Sequence, residues 1–200
     1  MKIYTKVGDK GKTFLPGEGF VPKDDLRIEA LGALDELNST IGVTLCFVED
    51  EKLRNLLSKI QNDLFTVGAD LAGSGLPADN LPRVSEAHVE ELEGFIDELE
   101  EKLGQPTKFI LPGGTASSSF LHLCRATTRR TERVIVNISK NHKFNESVFK
   151  YLNRLGDLFF ILARSANKEL DVKEQQPMYK YFGEKKVSEN IVNDKNNESK

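Results

Sequence analysis

Two segments of this 200-residue chain carry residue types that bind phosphate. The first, YTKVGDKGKTF (residues 4–14), combines lysines and a threonine hydroxyl with two glycines whose N–H groups can approach a ligand closely. The second, CRATTRRTER (124–133), places Arg125, Arg129 and Arg133 at i, i+4 and i+8, on one face of a helix. Guanidinium groups stacked in this way repel each other, and an anion with several charges would neutralise them. Both segments are therefore candidates for polyphosphate binding.

The first segment contains Gly11-Lys12-Thr13, but it is not a Walker A P-loop. That signature requires a glycine where this chain has Lys6. It also requires a helix directly afterwards, and the run FLPGEG (14–19) cannot begin one. On these residues alone a charged N-terminal arm is the favoured interpretation, and a phosphate-binding loop of another kind is the alternative.

The arginine stripe also has an alternative interpretation, because a charge run is usually a solvated helix face. Asn153, Asp157 and Arg164 favour the anion-binding reading. They share a stripe on a helix whose other faces are mostly apolar, so we expect these groups to face a cavity or a subunit contact.

Asp35 and Glu36 lie beside the apolar stripe of the first predicted helix. At least one of these carboxylates should face inward, where an arginine is the expected partner. An exposed position for Asp35 at the helix edge stays open, because periodicity does not separate the two cases.

Composition limits the classes of protein. With 31 acidic residues against 28 Lys and Arg, the net charge of −3 argues against whole-surface binding of nucleic acid or anionic membranes. Cys46 and Cys124 stand alone, and the three histidines form no zinc motif, so disulfide scaffolds and zinc sites are not expected. We expect reduced thiols and a cytoplasmic location. The start of the chain has no signal-peptide pattern and no apolar run is long enough to span a bilayer, which predicts a soluble, unprocessed protein.

The elements that position these residues are predicted to be helices. Apolar residues at three- and four-residue steps predict helices over about 24–48, 49–72, 85–103, 115–140 and 145–170. Ser85, Thr115 and Asn145 are the expected N-caps of the last three. With almost no strand signal, the fold class is all-α, a five-helix bundle. The bundle domain should span 1–170, and 171–200 should be a solvated tail with a disordered end.

Five blocks of the sequence together resemble the PduO-type ATP:cob(I)alamin adenosyltransferases. They are IYTKVGDKGKT (3–13), PKDDLRIEALGALDELNSTIG (22–42), KFILPGGT (108–115), RATTRRTER (125–133) and YLNRLGDLFFILARSAN (151–167). The resemblance implies a five-helix bundle that assembles as a homotrimer, with ATP and the corrinoid at each subunit interface. It also implies that residues 1–23 form an ATP-binding loop unrelated to Walker A.

The resemblance assigns roles by position. Nucleotide contacts from one subunit are implied for Thr5, Lys6, Val7, Gly8, Asp9, Lys10, Gly11, Thr13, Phe14 and Lys23. Contacts from the neighbouring subunit are implied for Arg129, Arg130, Thr131, Glu132, Arg133 and Asn153. Of these, Glu132 and Asn153 would lie near Mg²⁺ and the phosphates.

On the corrinoid side, Asp35 and Arg125 resemble an ion pair between subunits, and Phe109 resembles the aromatic residue under the cobalt. With Arg129, these three are the implied catalytic residues. The implied partners are ATP, cob(I)alamin or cob(II)alamin, a flavoprotein reductase and a B12-dependent enzyme that receives the product.

Some positions depart from the family pattern. Lys12 and the run LPGEGF (15–20) differ from the commoner residues of the loop, Thr131 stands where alanine is usual, and Gly156 where serine is usual. A glycine inside a helix costs about 1 kcal/mol against alanine, so we expect something to pack closely against the backbone at Gly156. Two other functions compete: a helical corrinoid-binding adaptor or chaperone without catalysis, and an unrelated ATP-dependent phosphotransferase.

Overall fold

A computed structural model describes residues 2–74, 76, 81–106 and 108–179. It contains five α-helices, as predicted: α1 (Leu26–Leu45), α2 (Glu51–Ala72), α3 (Glu86–Leu103), α4 (Ala116–Ile138) and α5 (Glu146–Glu169). A single 3₁₀ turn, Val7–Lys10, precedes them. Residues 180–200, which include the predicted disordered end, lie outside the described residues.

Side-chain caps set the starts of the helices. Asp50 accepts a hydrogen bond from the backbone N–H of Leu53 at 2.7 Å, and Thr115 and Asn145 cap α4 and α5 as predicted. Helix α1 ends three residues earlier than predicted, because the chain turns before Asp50 to begin α2. Each such cap satisfies an N–H group that the helix itself leaves unpaired.

A β-hairpin that the sequence did not predict follows the 3₁₀ turn. Strands β1 (Lys12–Leu15) and β2 (Gly19–Pro22) pair antiparallel, with Lys12 opposite Pro22. Gly17 and Gly19 have φ values of 83° and 85°, a region that favours glycine, and so allow the tight connection. Leu15 and Val21 are buried, which anchors the hairpin to the bundle.

The core lies between the helices. Helix α4 packs against both α5 and α1, α3 packs on α5, and α2 packs on α1. Fully buried side chains from these surfaces include Leu37, Ile41, Ile60, Leu121, Ile135, Leu155 and Phe159. Within the described part of the chain, no helix is both long and apolar enough to cross a membrane.

The buried carboxylate of Asp70 joins three parts of the fold. It lies near the end of α2 with 1% of its surface exposed, and it accepts hydrogen bonds from Arg83 Nη1 at 2.6 Å and from the Val84 N–H at 3.0 Å. Asn145 Nδ2, at the start of α5, donates to it at 2.8 Å. A buried charge is tolerated only with such a set of donors.

We predict that Asp70→Ala lowers the free energy of unfolding by about 3 to 5 kcal/mol, because it leaves the Val84 N–H and the Arg83 guanidinium without their acceptor. Chemical denaturation measures this loss. Glu98→Ala, which removes an exposed ion pair with Lys102 in α3, is the control and should change the stability little, because water screens such a pair. Equal losses in the two variants would contradict the role given to Asp70.

Candidate active site

A cavity of about 740 Å³ lies between the loop before α4, the helices α4 and α5, and the segment after α5. Its lining residues are Pro106, Lys108, Phe109, Ile110, Pro112, His122, Arg125, Arg129, Gly156, Asp157, Phe160, Gln176, Pro177 and Tyr179. One part of this wall is aromatic and aliphatic, and another carries two guanidinium groups and a carboxylate. The cavity can therefore hold a large ligand with an apolar face beside an anion.

The arginine stripe divides between this cavity and the protein surface. Arg125 and Arg129 line the cavity, where Arg125 is half-buried and Arg129 exposed, and Arg133 lies exposed outside it. The buried Nε of Arg125 has no hydrogen-bond partner among the described residues. A desolvated guanidinium N–H costs free energy unless it meets an acceptor, so this N–H is a candidate donor to an anionic group.

The carboxylates of α1 are not placed as the sequence predicted. Asp35 and Glu36 are both exposed in the protomer, so the expectation of an inward-facing carboxylate is wrong for the single chain. The core-facing stripe is made by Leu34, Leu37 and Ile41, which turns residues 35 and 36 outward. The expected arginine partner exists for Glu36, which forms an ion pair with Arg130.

The two residues implied in magnesium binding lie together. Asn153 Nδ2 donates a hydrogen bond to Glu132 Oε1 at 3.3 Å, so α4 and α5 present a carboxylate and an amide at one place. Mg²⁺ prefers oxygen ligands and is usually held by one or two carboxylates together with substrate phosphates. The Glu132 carboxylate fits that donor set, whereas the Asn153 amide oxygen accepts from Arg154 Nη1 at 2.9 Å in the protomer. No cluster of three or more His, Cys, Asp or Glu side chains suited to a metal ion occurs in the described ranges.

Thr131 and Gly156, the two helix positions that depart from the family pattern, differ in their role in the protomer. The Thr131 side chain is fully buried, and its hydroxyl donates within 3.1 Å to the carbonyl groups of Ala33 and Thr127. It therefore points toward α1, away from the exposed position of Arg133. A Cβ built at Gly156 would lie 3.7 Å from Cγ of Arg129, an ordinary contact, so the close approach expected there is wrong for the single chain.

The N-terminal loop presents its backbone and its lysines to solvent. Lys6 and Gly11, at the two ends of the 3₁₀ turn, adopt left-handed conformations with φ of 60° and 71°. The Lys23 N–H donates to the Gly11 carbonyl at 2.9 Å, and a Cβ built at Gly8 would lie 3.1 Å from Lys23 Nζ. Thr13 is half-buried. Gly8 is half-buried too. The other nucleotide-contact candidates of the loop are exposed: Thr5, Lys6, Val7, Asp9, Lys10, Gly11, Phe14 and Lys23.

Arg27 fastens this loop to the bundle. Its guanidinium donates to the N-cap Asp25 at 2.7 and 3.0 Å and forms an ion pair with Glu18 in the hairpin connection. The hydrogen bond from Arg27 lowers the pKa of Asp25 to about 2. Among the described residues, no hydrogen bond or ion pair joins the loop to Arg125, Arg129 or Arg133. No residue of the loop lines the cavity either, so the two phosphate-binding candidates do not form one site within the described part of the protomer.

Several cavity residues were missed by sequence reasoning. His122 stands three residues before Arg125 and seven before Arg129, a helical spacing that could have identified it. It is buried, its ring meets Phe160 edge to face at 6.1 Å, and neither ring nitrogen has a partner among the described residues. Burial, and secondarily the charge of Arg125, lowers its pKa to about 4. The imidazole is therefore neutral near pH 7.

Comparisons with known proteins bear on this site. The family model described as cobalamin adenosyltransferase matches residues 3–166. A corrinoid adenosyltransferase from Bacillus subtilis is 44% identical over 171 residues, covering 84% of this chain and 87% of the relative. The corrinoid adenosyltransferase PduO from Salmonella typhimurium is 36% identical over 170 residues, 84% of this chain and 51% of the relative.

A solved structure is similar over most of the chain. It is a variant PduO-type ATP:corrinoid adenosyltransferase from Lactobacillus reuteri complexed with cobalamin and ATP. It superposes with a TM-score of 0.83 at 38% identity, covering 88% of this chain and 96% of the other. Sequence and fold therefore agree over the same region.

We predict that His122 makes the protein less stable in acid. Between about pH 6.5 and pH 4 the unfolded chain binds a proton on this imidazole and the folded chain does not, so the unfolding free energy falls as the pH falls through this range. The loss should be at most about 3 kcal/mol and should be absent from His122→Phe. Denaturant unfolding of both proteins at several pH values measures it, and parallel curves for the two proteins would contradict the prediction.

Proposed function

This chain belongs to the cobalamin adenosyltransferase family, and we propose that it transfers the 5′-deoxyadenosyl group of ATP to the cobalt of cob(I)alamin. The products are adenosylcobalamin and triphosphate. The observation that carries the proposal is the cavity wall, in which Phe109 and Phe160 stand near Arg125 and Arg129. Such a wall suits a flat macrocycle on its apolar part and a polyanion on its charged part.

The reaction balances without a protein nucleophile. The electron pair of Co(I) forms the new bond to C5′ of ATP, the bond from C5′ to the triphosphate oxygen breaks, and triphosphate leaves with that bonding pair. The chain must hold two large substrates in line and stabilise the charge that develops on the leaving group. Arg129 and Arg133 supply fixed positive charge for the second task.

Magnesium is the cofactor that the phosphate chemistry implies. Glu132 would hold it through its carboxylate, and Asn153 would join the site by turning its amide oxygen away from Arg154 Nη1, from which it accepts at 2.9 Å. Bound there, Mg²⁺ would neutralise negative charge on the triphosphate. The arginines of the stripe would bind and orient the phosphates.

The site is completed by a second copy of the chain, and the proposed assembly is a homotrimer. Large apolar side chains of α1, α2 and α4 are exposed in the protomer, including Val43, Phe65 and Leu123, as expected for a surface that another copy covers. Asp35 is exposed and Arg125 Nε lacks a partner, which supports an ion pair between these two residues of neighbouring subunits. The ATP loop of one subunit would then face the arginine stripe of the next.

Phe109 has a separate role in the proposal. Its side chain is 82% exposed at the cavity, so it contributes little to the core. Placed against the lower face of the corrinoid, it would displace the lower ligand of Co(II) and make the metal easier to reduce, a tuning of axial ligation. A one-electron reductant, such as a flavoprotein reductase, then supplies Co(I).

The direct test is anaerobic incubation of the protein with chemically reduced cobalamin, ATP and Mg²⁺, followed by chromatography of both products. Adenosylcobalamin and triphosphate should form in equal amounts. A corrinoid-binding adaptor would give no turnover, and a phosphotransferase would release phosphate or ADP. Either result would overturn the proposal.

We predict that Arg129→Ala lowers kcat/KM for ATP by about 10- to 150-fold, because a desolvated, charge-assisted phosphate contact is worth about 1.5 to 3 kcal/mol. Steady-state kinetics with cob(I)alamin measure this. Arg54→Ala is the matched control, since within the described residues Arg54 donates to the carbonyl groups of Leu45 and Val48, away from the cavity. Unchanged kinetics of Arg129→Ala would contradict the prediction and show that the arginine stripe is a solvated helix face.

We predict that Phe109→Ala changes the free energy of unfolding by less than about 1 kcal/mol, because a side chain so exposed loses little contact, whereas a buried phenylalanine would cost about 3 to 5 kcal/mol. Turnover that starts from cob(II)alamin should fall, and the spectrum of cob(II)alamin without its lower ligand should weaken in the ATP-bound enzyme. The assigned role is wrong if this spectrum and the Co(II)-dependent rate are both retained.

A further inference from the structure

The loop that carries Phe109 has little apolar contact of its own. Between α3 and α4, Lys108, Phe109, Leu111 and Pro112 are all exposed, and only Ile110 is half-buried among the apolar side chains. Hydrophobic burial therefore does not fix the direction in which Phe109 points. Something else must hold the loop if the ring is to stay at the cavity.

The side chain of Asn167 is the polar anchor of this loop. It lies on α5 with 2% of its surface exposed. Its Nδ2 donates to the Gly113 carbonyl and its Oδ1 accepts from the Thr115 N–H, both at 2.9 Å. One amide thus fixes the backbone on both sides of Gly114, and Ser118 adds a hydroxyl that donates to the same Gly113 carbonyl at 3.1 Å.

Gly114 shows how closely the loop approaches this amide. Its φ of 111° lies in the region that favours glycine, and a Cβ built there would stand 2.1 Å from Asn167 Oδ1 and 2.5 Å from Nδ2. No side chain larger than hydrogen fits while the two hydrogen bonds are kept. The contact between the loop and α5 therefore requires both Gly114 and Asn167.

Asn167 also contacts the start of the segment after α5, which lines the cavity on another side. Its backbone carbonyl accepts from the Val172 N–H at 2.9 Å, where the chain leaves α5. The segment after Val172 is tied to the loop by the Leu111 N–H, which donates to the Gln175 carbonyl at 2.7 Å. Arg164 Nε holds the same segment through Glu174 at 3.0 Å. Hydrogen bonds therefore join the loop, this segment and α5.

We propose that Asn167 is a positioning residue, whose amide fixes the loop so that Phe109 stays directed into the corrinoid cavity. The proposal rests on the proposed function, because it gives Phe109 a role against the corrinoid. A merely structural asparagine would act through stability alone. The two roles are separated by comparison with Asn145, which caps the other end of α5 and donates to Asp70 and to the Val84 carbonyl at 2.8 and 2.7 Å.

The first test reads loop position without catalysis. The chain contains no tryptophan, so Phe109→Trp provides a single fluorescent reporter on the loop. In that background Asn167→Ala should raise the amplitude of the nanosecond anisotropy decay by about twofold or more, because the loop gains freedom. Gly114→Ala, which displaces the loop from the opposite side of the contact, should do the same, and Asn145→Ala should not. An unchanged decay in Asn167→Ala would overturn the proposal.

The second test reads the consequence for the corrinoid. Asn167→Ala should lower turnover from cob(II)alamin by about tenfold and weaken the spectrum of the form without its lower ligand, with KM for ATP unchanged. In a Phe109→Ala background the same substitution should add little, since residues that act through one another are non-additive. A full additional loss in that background, or an equal loss in Asn145→Ala, would overturn the proposal.

The failure of the proposed function is distinguishable from the failure of this inference. If Phe109→Ala itself leaves Co(II)-dependent turnover intact, the role of Phe109 against the corrinoid is wrong, and the catalytic part of the proposal falls with it. The anisotropy decay then still decides whether Asn167 fixes the loop.

Discussion

The packing of α4 against α5 is the contact on which the rest of the structure depends. Both helices of this seam carry fully buried core side chains, Leu121 and Ile135 on α4 and Leu155 and Phe159 on α5, and each contributes about 1.5 to 3 kcal/mol by leaving water. Like charges at i and i+4 on a helix cost only a few tenths of a kcal/mol per pair. The seam therefore easily offsets the repulsion in the arginine stripe. It also fixes Glu132 of α4 beside Asn153 of α5.

The parts that would meet the substrates are loops, and each is held to this frame by a buried or nearly buried polar group. Arg27 fastens the N-terminal hairpin through Asp25 and Glu18. Asn167 holds the loop of Phe109 on both sides of Gly114. A polar anchor of this kind fixes the direction of a loop without filling the cavity with side chains, which leaves the cavity open for a large ligand. The apolar bundle stabilises the fold, and the polar anchors fix the positions of the loops.

The sequence predicted the elements better than the contacts between them. Five helices follow from apolar periodicity, because a helix face of twenty residues repeats its signal many times. The hairpin was missed because two strands of four residues carry almost no periodic signal. The pairing of Glu36 with Arg130, the burial of Thr131 against α1 and the lining of the cavity by Tyr179 depend on distant parts of the chain. Phosphate-binding residue types could be recognised from the sequence pattern, whereas their separation onto two neighbouring subunits was implied only by the family resemblance.

Because of that separation, the proposed function depends above all on an active site that is divided between two subunits. A loop variant such as Lys6→Ala and the stripe variant Arg129→Ala should each be nearly inactive alone. Mixed trimers formed by refolding the two together should recover about a quarter of wild-type turnover, because a random mixture gives that share of interfaces with an intact loop facing an intact stripe. If mixing restores no activity although mixed trimers form, the site lies within one protomer and the account is wrong.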